Sequence, residues 1–362
     1  MRISPQGCNE MRNRGRALFS PTALILLVAC AGQSVPVAPV HSASVSETVS
    51  KTPAGADPIQ RSRLLISDAE FHDLKKGSIY VAQTSGGGKT LLTNDGVSPN
   101  WTPDGHILFV SQRSGSPQIW IMDENGGKPR QIGQLDTSAA RMPLMPQQAR
   151  GGLILFQMMT AQGLTSIWTM HGDGSNPSQL VASEMRPSQP SLALSGTWAT
   201  YTVETDNPYH REIWRINTDG SGAKQLTFLG DADYPDANAS SISPDETMVA
   251  FFSGKESDQG AAGLTQSPFT WGHRNIAVIA ANGGARRTVT ACKPVTSRAA
   301  VEALRPSDCI AADNPAWLPD GQRIIYDTNH DDTWMIDVNG QNARRIWPKG
   351  RGLVRVPLKY VN

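Results

Sequence analysis

The chain has 362 residues, with 33 glycines and 25 prolines, and its 33 basic side chains stand against 32 acidic ones. That length exceeds one small domain and suits one large all-β domain or two ordinary ones. The near balance of charge excludes a nucleic-acid binder that works by bulk electrostatics.

Arg12, Arg14 and Arg16 form a basic segment ahead of the apolar run ALILLV at 23–28. The run is too short to span a bilayer as a helix, so 1–30 reads as an export signal. Met11 is an alternative start. Leu27-Val28-Ala29-Cys30 resembles the lipobox of bacterial lipoproteins, in which the Cys becomes the lipidated first residue. Ala31, where that resemblance would put Asp for inner-membrane retention, points to the outer membrane. An ordinary cleaved signal with an incidental Cys30 is the alternative, and it would leave a soluble periplasmic or secreted protein. Residues 31–63 are rich in Ser, Pro, Ala and Val without apolar periodicity, and read as a flexible tether.

The remainder, 64–362, is a repeat. Its clearest register is a β-branched residue followed by an aromatic: Ile79-Tyr80, Ile119-Trp120, Ile167-Trp168, Ile213-Trp214 and Thr333-Trp334, with Ile276-Ala277 as the exception. After each comes a tight turn holding Gly-Gly, Asp-Gly or Asn-Gly, which supplies the positive φ that two-residue hairpins need. Ahead of five of them runs a second apolar strand centred on Phe109, Phe156, Tyr201, Phe251 or Tyr326, and ahead of that a Pro-containing entry such as SPNWTPDG at 98–105 or NPAWLPDG at 314–321. About 45 residues and four short strands per unit is the β-propeller pattern. The expected fold is all-β: a six-bladed β-propeller of four-stranded antiparallel blades. The first hairpin lacks a clean entry, and the tail GLVRVPLKYV at 352–361 is strand-like. Closure of the ring by N- and C-terminal strands explains both. The rival is that 60–77 supplies the missing strands and the tail covers an edge. The tryptophans at the third strand, and Trp101 and Trp317 at the entries, read as core.

Two cysteines remain in this body, Cys292 and Cys309. In an exported chain an even pair suggests a disulfide closing the insert between them. Reduced thiols or a metal pair are the alternatives.

The entries resemble the Pro-Xaa-Trp-Ser-Pro-Asp-Gly signature of the TolB-like propeller repeat family (PD40, WD40-like). Thr102 and Leu318 replace the Ser, SISPDE at 241–246 keeps the turn, and INTDGSGAKQLT at 216–227 matches the fourth-strand hairpin. The resemblance covers roughly 65–362 and concerns the propeller alone. Related repeats occur in periplasmic TolB, in prolyl-oligopeptidase-like peptidases and in oligogalacturonate lyases, so the family leaves function open. Only about 33 tether residues precede the repeats, too few for the α/β domain ahead of the TolB propeller. Tol–Pal involvement is therefore not implied.

No Gly-Xaa-Ser-Xaa-Gly elbow occurs, which removes the peptidase reading. GGGKT at 86–90 lacks the first Gly of a phosphate loop and leads into a strand, so it reads as a turn. His210, His273 and His330 fall in loops before the third strands of successive units, followed by Arg211, Arg274 and Asp331. They are either polar turn residues or a shared rim for an anionic ligand or a metal; an anionic oligosaccharide would fit the lyase kinship. The inner-strand entries, expected on the opposite face, offer Arg141, Arg186, Gln189, Tyr234, Asp313 and Asn314, with Asp231, Asp233 and Asp236 as hard oxygen ligands suited to Ca²⁺. No catalytic residue and no certain cofactor emerges. The expected function is a lipid-anchored, non-catalytic binding or scaffold protein of the cell envelope, taking a protein or peptide partner at the channel mouth. The alternative is an enzyme of the oligogalacturonate-lyase type acting on uronic acid oligomers.

Overall fold

The computed structural model describes residues 62–67, 77–83, 88–138, 141–205, 210–228, 236–254, 274–292, 309, 312–328, 332–347, 353–354 and 359–360. Cys30, its signal segment and most of the tether lie outside them. The regular structure of the described residues is nearly all strand. In order these are β1 (Ser62–Ser67), β2 (Ile79–Gln83), β3 (Thr90–Thr93), β4 (Val97–Trp101), β5 (Ile107–Ser111), β6 (Gln118–Met122), β7 (Arg130–Gln131), β8 (Met142–Gln148), β9 (Ile154–Met159), β10 (Thr165–Met170), β11 (Ser178–Val181), β12 (Pro187–Leu192) and β13 (Trp198–Glu204). They continue as β14 (Arg211–Asn217), β15 (Lys224–Gln225), β16 (Asp236–Ile242), β17 (Met248–Gly254), β18 (Arg274–Ala280), β19 (Arg287–Thr288), β20 (Ala312–Trp317), β21 (Arg323–Thr328), β22 (Thr333–Asp337), β23 (Arg344–Trp347), β24 (Leu353–Val354) and β25 (Lys359–Tyr360). One 3-10 turn, Ser183–Met185, interrupts them.

The unit is an antiparallel four-strand meander. β4 to β7, β8 to β11 and β20 to β23 each form one such sheet, and an eight-stranded sheet holds β12 to β15 and β16 to β19, joined by a single parallel bridge between Arg211 and Asp236. The remaining sheet draws on both ends of the chain: β2 and β3 extend from β1, and β24 and β25 pair with its other edge. The sheet is built from both ends of the chain, as the closure reading expected, and the rival reading was right that 60–77 supplies one of its strands. Its second strand comes from 62–67, and the tail pairs beside it.

The second strand of each meander is apolar on both faces because both faces meet a neighbouring sheet. Leu108 packs with β9 and β10 residues, while the next residue, Phe109, packs with Leu65 and Ile79 of the first sheet. Val249 and Phe251 face Trp198 and Ile213, whereas Ala250 and Phe252 face Trp317 and Tyr326. Leu64 and Ile66 of the first sheet pack against Ile325 and Met335 of the last, so the series of sheets returns on itself. The aromatic register follows from the pairing: Phe109 lies opposite Trp120, Phe156 opposite Trp168, Tyr201 opposite Trp214 and Tyr326 opposite Trp334. Phe109, Phe156 and Phe251 are fully buried, each contributing on the order of 1.5–3 kcal/mol. The third-strand tryptophans are partly buried at the margins of these clusters. Trp101 and Trp317 are buried outright.

The turns explain their own composition. In the Pro-Asp-Gly turn the Gly105 amide donates to Thr102 O at 3.0 Å, with Gly105 at φ 89°. Glu246 takes that place in the Ser243-Pro244-Asp245 turn at φ 61°. Its carboxylate accepts from the Ser195 amide at 2.6 Å, the Ser195 hydroxyl at 2.9 Å and the Trp198 indole at 3.0 Å. Those bonds to the neighbouring meander offset the strain of a side chain in the left-handed region. Gly340 has a second reason to be glycine, since a Cβ there would stand 2.9 Å from Val289 O.

Cys292 and Cys309 are joined by a disulfide between the end of the β18–β19 hairpin and the entry to β20. Cys292 is buried, and its amide donates to Asn275 Oδ1 at 2.8 Å.

Candidate functional site: the channel and its loop face

The inner strands β4, β8, β12, β16 and β20 line one cavity of about 200 Å³. Each strand slips register once, between Val97 and Asn100, Leu144 and Gln147, Ser188 and Ser191, Asn238 and Ser241, and Asp313 and Ala316. At every slip one non-glycine residue has positive φ: Ser98, Met145, Gln189, Ala239 and Asn314, all between 47° and 52°. All five line the cavity. In four of the five the next residue is proline (Pro99, Pro146, Pro190, Pro315). Proline cannot donate to a ladder and is confined to edges and bulges, so it sits where the inner strand turns its free edge to the channel.

Some polar groups here are committed to holding neighbouring sheets together. Gln147 donates to Pro190 O at 2.6 Å and accepts from the Leu192 amide at 2.9 Å. Gln157 accepts from the Gln189 amide at 2.9 Å, and Ser240 bonds Thr200 at 2.8 Å. Among the described residues no charged side chain lines the cavity. Gln189 and Asn314 lie in it, as their place on the inner strands suggested, while Arg141 and Arg186 do not. Arg141 instead pairs with Asp136 at 3.6 Å. Asp136 is held below the usual carboxylate range, first by the Ser138 side chain and less by the Arg141 charge.

One expectation is overturned. The loops before the third strands and the entries to the inner strands lie on the same face. The first and third strands of an antiparallel meander run in the same direction, so both begin at one end; the β14–β16 bridge is parallel for that reason. Two ion pairs follow. Arg211, first residue of β14, reaches Asp236, first residue of β16, at 3.3 Å; Arg274, first residue of β18, reaches Asp313 of β20 at 3.1 Å. Asp236 is fully buried and Asp313 partly exposed. These arginines therefore sit against carboxylates of the next inner strand.

His210 Nε2 lies 3.2 Å from Glu212, a buried carboxylate that also accepts from the Thr227 hydroxyl. Thr227 accepts from the Ile213 amide at 2.9 Å. Asn275 and Thr290 repeat this arrangement in the next meander, with Thr290 accepting from Ile276 at 2.9 Å and donating to Asn275 at 2.9 Å. The shared geometry ties the third strand to the fourth, and His210 rests on it from outside. His273, His330, Asp331, Asp231, Asp233 and Tyr234 lie outside the described residues. Among the described residues no three His, Cys, Asp or Glu side chains gather as a metal site would need.

Sequence reading missed two features. The first is the ring of strained bulge residues at Ser98, Met145 and Ala239, which the repeated Xaa-Pro within a strand could have signalled. The second is apolar. Among the described residues the exposed large hydrophobics are Leu91, Leu164, Met185 and Phe228, and Phe228 is 77% exposed. Leu164 precedes β10, while Met185 and Phe228 precede β12 and β16, so three of the four lie in loops of the face that carries the ion pairs.

Antiparallel meanders packed in series, with their inner edges on a common channel, define an all-β propeller. Residues 65–236 match the TolB β-propeller domain family model (PD40), so that stretch carries the TolB-like propeller repeat. Among solved structures it is similar to TolB from Acinetobacter baumannii, with a TM-score of 0.57 and 18% identity, over 82% of this chain and 66% of that one. A putative TolB from Agrobacterium tumefaciens aligns with a TM-score of 0.54 and 14% identity, over 82% of this chain and 93% of that one. An oligogalacturonate lyase in complex with manganese aligns with a TM-score of 0.52 and 12% identity, over 79% of this chain and 74% of that one. At these identities the likeness is one of fold. This chain spans less than two thirds of the A. baumannii TolB. No curated protein matches it in sequence.

Proposed function

We propose that the protein is a non-catalytic binding propeller of the cell envelope, tethered by lipid at Cys30, that takes a protein or peptide partner on its loop face around the channel mouth. The propeller is read as six-bladed: the eight-stranded sheet counts as two blades sharing one bridge, and the sheet built from both chain ends closes the ring. The observation that carries the function is the bias of exposed apolar side chains. Leu164, Met185 and Phe228 stand on the loop face, beside arginines already neutralised by aspartates. Exposed apolar residues rimmed by polar ones are what protein interfaces use. Anionic recognition by the rim has less support, since Arg211 and Arg274 each face a carboxylate of the next inner strand.

Phe228→Asp and Met185→Asp should abolish retention of the envelope partner while leaving the melting temperature within a few degrees of the parent. Partner retention unchanged by both substitutions would overturn the reading. Unsaturated product from pectic oligomers, dependent on manganese and lost with chelator, would replace it with the lyase. Cys30→Ala should move the protein from the membrane fraction to the soluble one.

A further inference from the structure

The cavity below the mouth holds polar groups that the fold does not use. Ser98 Oγ is buried and without a hydrogen-bond partner, although it lines the cavity. A buried hydroxyl left unmet would cost about 1–3 kcal/mol, so Ser98 Oγ draws its partner from the cavity, whether water or a ligand. The side chains of Asn100, Gln189 and Asn314 also line the cavity, and each is only partly buried. Among the described residues they make no side-chain hydrogen bond, in contrast to Gln147, Ser191 and Ser240.

These free groups are not spread evenly. Along the chain the five strained bulge residues alternate in character: Ser98, Met145, Gln189, Ala239, Asn314. At the bulges the polar side chains come from β4, β12 and β20, where the intervening β8 and β16 present a Met and an Ala; Ser241 of β16 adds a hydroxyl further along the lining. The ligand such a cavity suits has donors and acceptors pointing outward in several directions, with apolar faces between them. Two further facts bound its identity. Among the described residues the lining holds no charge, so an ionised ligand would find no counter-charge there in return for its lost hydration. The volume, about 200 Å³, lies below the range of pockets for drug-sized molecules.

We propose that the central cavity is a binding site for an uncharged, hydroxyl-rich small molecule of monosaccharide size, recognised by Ser98, Asn100, Gln189 and Asn314. This goes beyond the partner reading and does not depend on it, because the test below contains no partner protein. The full chain is titrated calorimetrically with D-glucose, D-galactose and N-acetyl-D-glucosamine, and with D-galacturonate as the charged counterpart. At least one neutral sugar should saturate a single site, with the uronate about 10-fold weaker or more. Ser98→Ala should keep or raise the melting temperature, since it removes an unmet hydroxyl, and should weaken the sugar about 5- to 10-fold. Gln189→Met, which keeps the length and removes the amide, gives a second reading should Ser98→Ala fold poorly. The proposal falls if no neutral sugar binds below about 10 mM, if galacturonate binds more tightly than the neutral sugars, or if folded variants bind as the parent does.

Discussion

The two faces of this propeller are built by different rules. On one, the first strand turns into the second and the third into the fourth through tight turns closed by backbone bonds, such as Gly105 to Thr102 and Gly220 to Asn217. On the other, the second strand runs into the third, and each meander into the next, through connections of varied length, from the short turn at 160–164 to the stretch between β17 and β18. The disulfide, the Arg–Asp pairs and most of the exposed large hydrophobics belong to this second face. Side chains cross the seams on both faces, Glu246 to Ser195 and Trp198 on the turn face and Arg211 and Arg274 to Asp236 and Asp313 on the loop face. On the turn face these contacts sit within tight turns, so the loop face is the freer of the two to vary. Binding specificity is carried by such loops on a rigid scaffold.

If that division is right, the largest single effect should come from the loop face. Replacing both Cys292 and Cys309 by Ser should lower unfolding free energy by about 3 kcal/mol, for a bridge spanning 17 residues. Denaturant titration of the oxidised parent and the variant measures it. Next are the two seams. Arg211→Ala removes one charged partner of the fully buried Asp236 and should cost about 2–3 kcal/mol. Arg274→Ala, opposite the partly exposed Asp313, should cost about 1 kcal/mol or less. Equal losses would mean that burial does not set the strength of these pairs.

The turn face supplies smaller contrasts. Gly340 and Gly220 share φ 88°, but only at Gly340 would a Cβ meet backbone, Val289 O at 2.9 Å. Gly340→Ala should therefore be less stable than Gly220→Ala by about 1 kcal/mol, as thermal melts of the pair would show. The smallest effect concerns acid. The Ser243 hydroxyl, at 2.6 Å, and then the Thr247 amide and hydroxyl hold Asp245 below the ordinary carboxylate value. Its contribution is complete above the unfolded pKa and is lost as pH falls through the folded one. Ser243→Ala should shrink that acid-side loss in melts taken between about pH 5 and pH 2.

Much of this was legible in the sequence. The second and third strands announce themselves by unbroken apolar runs and by aromatics that prove to lie opposite one another. The Asp-Gly and Asn-Gly hairpins mark every turn between third and fourth strands that the described residues contain. Strand direction was harder. The parity of a meander decides which loops share a face, and spacing alone put the inner-strand entries on the wrong one. Side-chain pairing across seams, as in Arg211 with Asp236, joins residues 25 apart and has no local signature. The bulges did have one, since proline inside a strand implies a broken ladder, yet which residue would take positive φ depended on the packing of five strands around a common axis.

The central claim is that recognition belongs to the loop face. It is tested most directly by photo-cross-linking residues placed singly at 164, 185 and 228 on that face, and at 128 and 219 on the turn face, in cells carrying the full chain. A single partner adduct from the first three positions and none from the last two is the expected result. The same adduct from 128 or 219, with none from 228, would contradict the account.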